Sequence, residues 1–417
     1  MHKELQRAEK IISRINELAS ISEVGDGITR RYGTEAFLEG ANKVLQWMRE
    51  AGLQVRIDHI GNVRGVWKAD DPAAKTLVIA SHIDTVQHAG RWDGPLGVLT
   101  GLDLLENVIQ SEKKLPFHIE LVAFCDEEGV RFHTTYLGSK VVAGSFDREL
   151  LHCKDGEGIS LEEAIHTIGG DAAKLEEDAI APGDWLGYFE IHIEQGPVLY
   201  ERKIPAALVK AIAGQVRAQV VFKGVAGHAG TVPMDLRNDG LCGAAEFILG
   251  SEKLAFESRH ELVATVGKLQ IRNPASNVIP GEVACSVDIR SADEQVLSRS
   301  HEKIRELSEQ IGKRRGLGVE WKVLQVSLPV VCDARMNGLL AQAITDAGYE
   351  SLGLVSGAGH DAVPIAAVAP VAMLFVRCFK GISHHPLEDV ETEDIAAVIA
   401  VSDNFIHQLT LSWKYQH

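Results

Sequence analysis

The sequence predicts an α/β protein of two domains. The larger domain would be built on a mixed, mostly parallel sheet flanked by helices, and an α+β domain with an antiparallel sheet would be inserted into it. A chain of 417 residues is long for one hydrophobic core. Helix and strand patterns alternate in both terminal parts, as in proteins with parallel sheets. Between them the order becomes strand, helix, two strands, helix, strand, which is typical of an antiparallel α+β domain. We therefore assign 1–213 and 327–417 to the larger domain and 214–326 to the insert.

The elements of the larger domain follow from apolar spacing. Residues 3–19 and 35–51 have helical spacing, and Gly52 is the predicted stop of the second helix. The remaining predictions are strands at 77–80, 119–124 and 371–376, and helices at 96–110, 339–347 and 392–411, the last with Thr392 as N-cap. The strands at 77–80 and 119–124 run directly into polar residues, so those residues are expected at the carboxyl edge of the sheet, where active sites of α/β proteins are built.

The insert has its own pattern. Alternating or apolar runs predict strands, and two further stretches predict helices, of which the second is long and charged. The predicted strands are 215–223, 262–271, 282–290 and 319–326, and the predicted helices are 238–249 and 293–315.

Composition excludes several functional classes. The net charge of −16 argues against a nucleic-acid partner, because phosphate binding needs basic patches. No run approaches the roughly 18 consecutive apolar residues of a membrane span, so no membrane partner is expected. The six cysteines are scattered without a Cys-x-x-Cys pair. Together with an N-terminus that lacks a secretory signal, this pattern predicts reduced thiols in the cytoplasm.

Six potential metal ligands or bases lie in short, unusual strings. The strings are Ser-His-Ile-Asp-Thr (81–85), Trp-Asp-Gly-Pro-Leu-Gly (92–97), Cys-Asp-Glu-Glu-Gly (125–129), His-Ile-Glu-Gln-Gly-Pro (192–197) and Gly-Ile-Ser-His-His-Pro (381–386). Any such residue alone is more often a solvated or satisfied polar group. Their ordered occurrence beside strand ends and glycines instead indicates a two-metal hydrolase centre. The candidates are His82, Asp93, Glu127, Glu128, His192 and His384.

The residue types suit that chemistry. On an extended backbone His82 and Asp84 point the same way, so Asp84 is expected to hold an imidazole while His82 faces a metal. Asp93 precedes a Gly-Pro turn and offers two carboxylate oxygens that could bridge two ions. The adjacent carboxylates of Glu127 and Glu128 would point apart, so that one can bind a metal while the other serves as general base.

The chain resembles the M20 metallopeptidase-related amidohydrolases in the order of five motifs: Ser-His-Ile-Asp-Thr, Asp-Gly-Pro-Leu-Gly, Asp-Glu-Glu-Gly-x-Arg-Phe (126–132), His-Ile-Glu-Gln-Gly-Pro and Ala-Gly-His-Ala-Gly-Thr (226–231). Within these amidohydrolases the chain is most similar to the branch of N-carbamoyl-L-amino acid hydrolases, β-ureidopropionase and allantoate amidohydrolase. The resemblance runs from about residue 20 to the C-terminal helix. The His-Ile-Glu-Gln-Gly-Pro string carries it, because peptidases of the family have a carboxylate at the position of His192.

The resemblance implies two divalent ions per subunit, and either zinc or manganese suits imidazole and carboxylate ligands. Asp93 would bridge the ions, His82 and His192 would complete one site, and Glu128 and His384 the other. The spacing to Glu388 favours His384 over His385, although the sequence leaves a swap open. Glu127 would be the general base. A cis peptide is expected at Asp93–Gly94.

The resemblance also implies substrate contacts and an assembly. His228 would reach the active site of the partner subunit in a homodimer and stabilise the oxyanion, and the insert would carry the dimer interface. Arg290 would bind a substrate carboxylate through its two parallel donors. Asn277, Gln195 and Gly359 would make further substrate contacts. His360 would contact the metal-binding side chains without binding a metal itself.

The expected function is metal-dependent hydrolysis of a linear carbamoyl (ureido) bond in a carboxylate-bearing small molecule. N-carbamoyl-L-amino acids are the preferred substrates, and allantoate is the alternative. Two readings from other classes stay open: an aminopeptidase or dipeptidase of the same family, and a binding protein without catalysis. The string that begins at His192 argues against the peptidase, and the complete set of candidate ligands and base argues against a binding protein.

Overall fold

The computed structural model describes residues 2–112 and 114–414, the last without its side chain. The chain forms two compact units. The first contains the residues up to Lys210, Cys332–Leu354 and the residues from Gly359 onward. The second contains Ala211–Val331 and the short segment Val355–Ala358. The sequence assigned 214–326 to the insert, so the second unit extends a few residues further on each side and gains a segment from the loop near residue 357.

Helices occur in both units. The α-helices of the described chain are α1 His2–Ala19, α2 Glu35–Glu50, α3 Pro95–Gln110, α4 Leu137–Val142, α5 Leu161–Thr167, α6 Val198–Arg202, α7 Gly240–Glu257, α8 Glu294–Arg315, α9 Ala334–Asp346, α10 Ala362–Ile365 and α11 Thr392–Lys414. Short 3₁₀ helices lie at Arg148–His152, Ala172–Asp178, Met234–Leu236 and Phe379–Gly381.

Strands alternate with these helices. They are β1 Gln54–Ile57, β2 Val63–Trp67, β3 Thr76–His82, β4 His118–Phe124, β5 Trp185–Ile193, β6 Ala206–Ile212, β7 Gly214–Lys223, β8 Gly227–His228, β9 Val263–Thr265, β10 Leu269–Ile271, β11 Val278–Ile279, β12 Glu282–Ser291, β13 Gly318–Ser327, β14 Val330–Val331, β15 Gly353–Ser356 and β16 Val371–Val376.

The main sheet has a parallel centre. Its strands follow the order β1-β2-β4-β3-β5-β16-β6, and β14 and β15 also pair with β6. The strands β4, β3, β5 and β16 are parallel to one another, and antiparallel pairs flank them on both sides. The predicted mixed α/β sheet is confirmed, with the parallel pairing confined to the centre. The side chains of β4 are buried along its whole length, as expected for a strand covered on both faces.

The second unit is an antiparallel sheet covered by two helices. Its strands follow the order β10-β12-β7-β13, with β9 also paired to β12, and β8 and β11 form a separate ribbon. Buried and exposed residues alternate along β12, so one face packs against α7 and α8 while the other stays open. The predicted α+β fold is therefore confirmed. The single strand predicted at 262–271 is wrong, because the chain there forms two short strands, β9 and β10, on either side of Gly267.

Several predicted boundaries shift. The helix predicted at 238–249 begins after its N-cap Asp239 and continues to Glu257. The helix predicted at 339–347 begins earlier, after the N-cap Asp333, whose carboxylate accepts the amide of Met336. Capping side chains locate both starts, because they satisfy amides that have no partner inside the helix.

The C-terminal helix α11 is long and apolar enough, by length and composition, to cross a membrane. However, 61% of its most apolar 18-residue window is buried within the protein. Ile395 and Phe405 are fully buried in the core of the first unit. A core helix passes the same test of length and composition, and the packing of α11 favours that interpretation.

Candidate metal centre

Three neighbouring parallel strands bring the first candidate ligands together. His82 is the last residue of β3, Asp126 to Glu128 follow β4, and His192 is the penultimate residue of β5. Because β4, β3 and β5 are adjacent and parallel, their carboxyl ends meet at one edge of the sheet. Asp93 lies at the entry to α3, and His384 lies in the loop that follows the 3₁₀ helix at Phe379–Gly381.

The carboxylate of Asp93 lies between two groups of ligands. Its Oδ1 is 3.4 Å from Nε2 of His82 and 3.1 Å from Nε2 of His192. Its Oδ2 is 3.4 Å from Nε2 of His384, which is in turn 3.3 Å from Oε1 of Glu128. The first group is buried, whereas the second opens to solvent through His384. Each oxygen of Asp93 thus faces a separate set of potential metal ligands.

The buried group fits a metal ion. Oδ1 of Asp93 is buried and has no hydrogen-bond partner among the described residues, although two imidazole nitrogens face it. Nδ1 of His82 donates to the backbone carbonyl of Asp84 at 3.0 Å, and Nδ1 of His192 donates to that of Ile193 at 2.9 Å. With the proton held on Nδ1, the lone pair of each Nε2 is directed at the centre, which is the arrangement that a metal-binding histidine needs.

The carboxylate of Asp84 contacts a different partner from the one predicted. Its oxygens accept the backbone amides of Glu127 and Glu128, each at 3.1 Å. The distance from Oδ1 to Nδ1 of His82 is 3.7 Å, too long for a hydrogen bond. The predicted carboxylate–imidazole bond is therefore wrong. The prediction assumed an extended backbone through Asp84, but β3 ends at His82, and the Asp84 carboxylate faces the loop after β4.

Asp126 shapes the loop that carries the adjacent carboxylates. Its φ of 49° lies in the left-handed region, which is uncommon for residues other than glycine. Glu127 and Glu128 both reach His82, but of the two only Glu128 groups with Asp93 and His384. Burial, reinforced by the carboxylates of Glu128, Asp361 and Asp84, raises the pKa of Glu127 well above its usual value against the opposing effect of His82.

The peptide bond between Asp93 and Gly94 is trans, as are all peptide bonds of the described chain. The expected cis bond is therefore wrong. Gly94 takes up the turn instead, with φ of 82°, and His82 lies against the position that a Cβ would occupy. Only glycine fits both the dihedral angle and the close approach of the imidazole.

Three side chains surround Asp93 that the sequence either missed or assigned elsewhere. Nε2 of Gln195 donates to Oδ2 of Asp93 at 2.7 Å, and Oγ of Ser383 donates to the same oxygen at 2.6 Å. Oε1 of Glu388 accepts the amides of Trp92 and Asp93 at 2.7 and 3.0 Å. The sequence predicted Gln195 as a substrate contact and used Glu388 only for its spacing. For Ser383, the only indication in the sequence was its position next to His384.

The two adjacent histidines differ in their contacts. Nε2 of His384 approaches both Asp93 and Glu128. Nδ1 of His385 instead accepts the backbone amide of Leu387 at 3.1 Å within its own turn. Of the two, it is thus His384 that the fold brings to the candidate ligands.

A second layer of buried polar groups lies behind His192. The ring of His360 packs edge-on against that of His192, with 4.6 Å between centroids, and its Nδ1 lies 3.9 Å from Oε1 of Glu190. Burial, with the neighbouring His192, lowers the pKa of His360 well below its usual value. Oε2 of Glu190 accepts the hydroxyl of Tyr188 at 2.9 Å. The sequence missed Glu190, although a carboxylate within a largely apolar strand was a signal for it.

Gly359 has a structural reason to be glycine. A side chain at this position would overlap the hydroxyl of Tyr136. The next residues continue the buried layer, in which Oγ of Ser139 donates to Asp361 at 2.5 Å. That Gly359 presents its backbone to a ligand stays a prediction.

The remaining predicted residues belong to the second unit. His228 is exposed on the β8–β11 ribbon, where it pairs with Val278, and the amide of Ala229 donates to the carbonyl of Asn277 at 2.9 Å. The amide of Gly230 donates to Nδ1 of His228 at 3.1 Å, which places the ring proton on Nε2. Arg290 lies in the larger sheet on β12 and binds Asp288.

Buried imidazoles and carboxylates gathered beyond the ends of parallel strands, with a second α+β unit, are the features of a metal-dependent hydrolase. The family model described as peptidase family M20/M25/M40 matches residues 78–408, and the chain belongs to this family. A probable allantoate deiminase of Oryza sativa subsp. japonica is 37% identical over 98% of this chain and 89% of the relative. An N-carbamoyl-L-amino acid amidohydrolase of Geobacillus stearothermophilus is 36% identical over 97% and 98% of the two chains.

The solved structures agree with the sequence comparison. A hydantoinase/carbamoylase family amidase from Burkholderia multivorans superposes with a TM-score of 0.91 at 32% identity, over 96% of this chain and 97% of that one. The resemblance to the amidohydrolase branch of the family, inferred from the short strings, is confirmed.

Proposed function

We propose that the protein is an amidohydrolase that cleaves a linear carbamoyl C–N bond in a carboxylate-bearing small molecule, with N-carbamoyl-L-amino acids as its principal substrates. The placement of Asp93 between two sets of ligands is the observation that supports hydrolysis. The near full-length similarity to an N-carbamoyl-L-amino acid amidohydrolase supports the substrate class. Allantoate is the second candidate, because the similarity to an allantoate deiminase is equally extensive.

The ligand groups are consistent with two divalent ions, zinc or manganese. His82, His192 and Oδ1 of Asp93 would hold one ion, and Oδ2 of Asp93, Glu128 and His384 would hold the other. Imidazole and carboxylate donors suit both metals. When bound, the ions supply positive charge that polarises the carbamoyl oxygen and lowers the pKa of water.

Glu127 is the proposed general base. It is buried beside His82 and is absent from the group formed by Asp93, Glu128 and His384. It would take a proton from the attacking water and deliver it to the departing nitrogen.

The stoichiometry follows from the bond that is cleaved. Water attacks the carbamoyl carbon, the C–N bond to the amino acid breaks, and the remaining carbamate decomposes. An N-carbamoyl amino acid and one water thus yield the amino acid, carbon dioxide and ammonia. Allantoate would lose one of its two ureido groups by the same chemistry.

Substrate contacts are proposed for both units. Arg290 would bind the carboxylate as a charged donor, with Asn277, Gln195 and Gly359 as further contacts. His228 would stabilise the oxyanion from the partner subunit of a homodimer. Its proton on Nε2 and its exposed ring support a donor role toward a ligand outside its own ribbon.

Exposed apolar side chains support the dimer. Leu249 and Phe256 lie seven residues apart on α7, with 66% and 88% of their surface accessible. Two turns of helix bring them to the same face.

We also propose a cytoplasmic location, which the free thiols of all six cysteines support.

A substrate panel tests the function. The protein would be loaded with manganese or zinc and incubated with N-carbamoyl-L-amino acids, allantoate and dipeptides, and both ammonia and free amine would be measured. We expect equal amounts of ammonia and amino acid from the N-carbamoyl substrates. Release of amine from dipeptides without ammonia would identify a peptidase. Binding without turnover of any substrate, by a fully loaded protein, would identify a binding protein.

A further inference from the structure

Four polar side chains form a block on the open face of the second unit's sheet. The register of β7 and β12 sets Gln215 opposite Arg290 and Arg217 opposite Asp288. Residues two apart on a strand share a face, so all four project away from the core formed by their neighbours in sequence. Arg217, Asp288 and Arg290 line a cavity of about 840 Å³. The block therefore belongs to a recess large enough for a small molecule.

Asp288 is the acceptor at the centre of this block. Its Oδ1 accepts from Nε of Arg290 at 2.8 Å, and its Oδ2 accepts from Nη2 of Arg290 at 3.0 Å. Oδ2 also accepts from Nε2 of Gln215 at 2.7 Å and from Nε of Arg217 at 3.2 Å. Although burial opposes it, the hydrogen bonds and charges of Arg290 and Arg217 lower the pKa of Asp288 below its usual value. Asp288 is thus an ionised carboxylate that binds Arg290 by two parallel hydrogen bonds.

These contacts leave part of the Arg290 guanidinium available. A guanidinium has five N–H donors. Within the described chain Asp288 uses two, and the carbonyl of Gly357 accepts a third, from Nη1 at 2.5 Å. One N–H then remains on each terminal nitrogen. Two donors on adjacent nitrogens are the arrangement that binds a carboxylate.

We infer that Asp288 is a positioning residue: it fixes the Nε edge of Arg290 and thereby holds the terminal N–H groups for the carboxylate of the substrate. This inference rests on the proposed function, since it supplies the mechanism by which the substrate carboxylate is selected. An arginine side chain loses considerable rotamer entropy when it becomes ordered. With Asp288 that loss occurs on folding, so substrate binding does not have to overcome it.

Kinetics of Asp288→Asn test the inference. The variant has nearly the same volume, but its amide can accept through only one atom and opposes an N–H of Arg290 with its own donors. We expect KM for an N-carbamoyl-L-amino acid to rise about tenfold or more, the scale of a charge-assisted hydrogen bond, while kcat changes by less than about twofold. KM for the corresponding uncharged N-carbamoyl amino amide should change little. Asp288→Glu, which restores the carboxylate, should recover part of the lost affinity.

A double-mutant cycle separates positioning from general stability. Because Asp288 acts through Arg290, combining Asp288→Asn with Arg290→Lys should raise KM no further than Arg290→Lys alone. The matched control is Glu282→Gln. Glu282 lies on the same strand and the same face as Asp288, and the substitution removes only its exposed ion pair with Arg272. It should leave KM unchanged. Additive effects in the cycle, or equal losses on the charged and uncharged substrates, would overturn the inference.

A crystal structure of Asp288→Asn provides a readout that does not depend on activity. We expect the Arg290 guanidinium to occupy a different position, or several, in the variant. An unchanged guanidinium would contradict the inference whatever the reaction proves to be. If the wild-type protein cleaved no ureido substrate, the proposed function would be refuted. The crystal structure of the variant would still decide whether Asp288 positions Arg290.

Discussion

Glu388 accepts a hydrogen bond from the backbone amide of Asp93, with 3.0 Å between Oε1 and the amide nitrogen. The same oxygen accepts the amide of Trp92, and Oε2 lies 3.3 Å from Oγ of Ser383, which donates to the Asp93 carboxylate. Glu388 thus holds the backbone of Asp93 directly and the Asp93 side chain through Ser383, although the two residues are almost three hundred positions apart in the sequence.

This relationship predicts that Glu388→Ala loses both stability and metal affinity. Two buried amides would lose their acceptor, and each unsatisfied buried group costs about 1–3 kcal/mol. The altered orientation of Asp93 should also weaken metal binding about 10–100-fold, as is usual when a group supporting a ligand is removed. Thermal unfolding and calorimetric metal titration measure the two effects. The control is the adjacent Asp389→Ala, which removes only an exposed pair with Arg91. Similar losses in both variants would contradict the role of Glu388.

Asp84→Asn should lower kcat while leaving metal binding by His82 and His192 in place. The Asp84 carboxylate accepts the amides of Glu127 and Glu128, whereas His82 is held by the backbone carbonyl, which the substitution retains. An asparagine can accept only one of the two amides, so the loop that carries the base should shift. We expect kcat to fall about 10–100-fold. Metal analysis should still find the ion held by His82 and His192. Loss of this ion from the variant would indicate that the Asp84 carboxylate contacts the His82 imidazole directly, as the sequence predicted.

Glu127→Gln should retain both ions and lose activity by about 10²–10⁴-fold or more. The amide preserves the shape of the side chain but cannot take a proton from water. Elemental analysis and kcat, measured on the same preparation, check the prediction. Glu128→Gln is the matched comparison, and it should lose the ion shared with His384. If Glu127→Gln lost metal instead, the roles of the two residues would be exchanged.

Mixing two inactive variants tests whether His228 acts across a dimer. Glu127→Gln and His228→Ala would be exchanged as subunits and assayed together. Each hybrid dimer then has one active site with both defects and one with neither. Random exchange should restore about a quarter of the wild-type activity. Exchange proven by mass spectrometry without recovery would assign His228 to its own subunit's site or remove it from catalysis.

The arrangement of the candidate ligands could be predicted because its signals are local. One apolar strand ends at His82 and another ends shortly before Asp126, and these ends determine which residues lie at the edge of a parallel sheet, whatever the rest of the chain does. The alternation along β12 likewise predicts which of its side chains face away from the core. These patterns, with their order along the chain, also carried the resemblance to the amidohydrolases.

The contacts between these residues depended on the tertiary structure. The direction of the Asp84 carboxylate, the support of Asp93 by Ser383 and Glu388, and the pairing of Asp288 with Arg290 all consist of hydrogen bonds made by polar side chains. Their geometry depends on distances of a few tenths of an ångström between loops. Hydrophobic periodicity determines which face of an element is buried, but not where separate loops meet. Sequence therefore determined the elements and the ligand types, and only the packed chain decided which atoms bind each other.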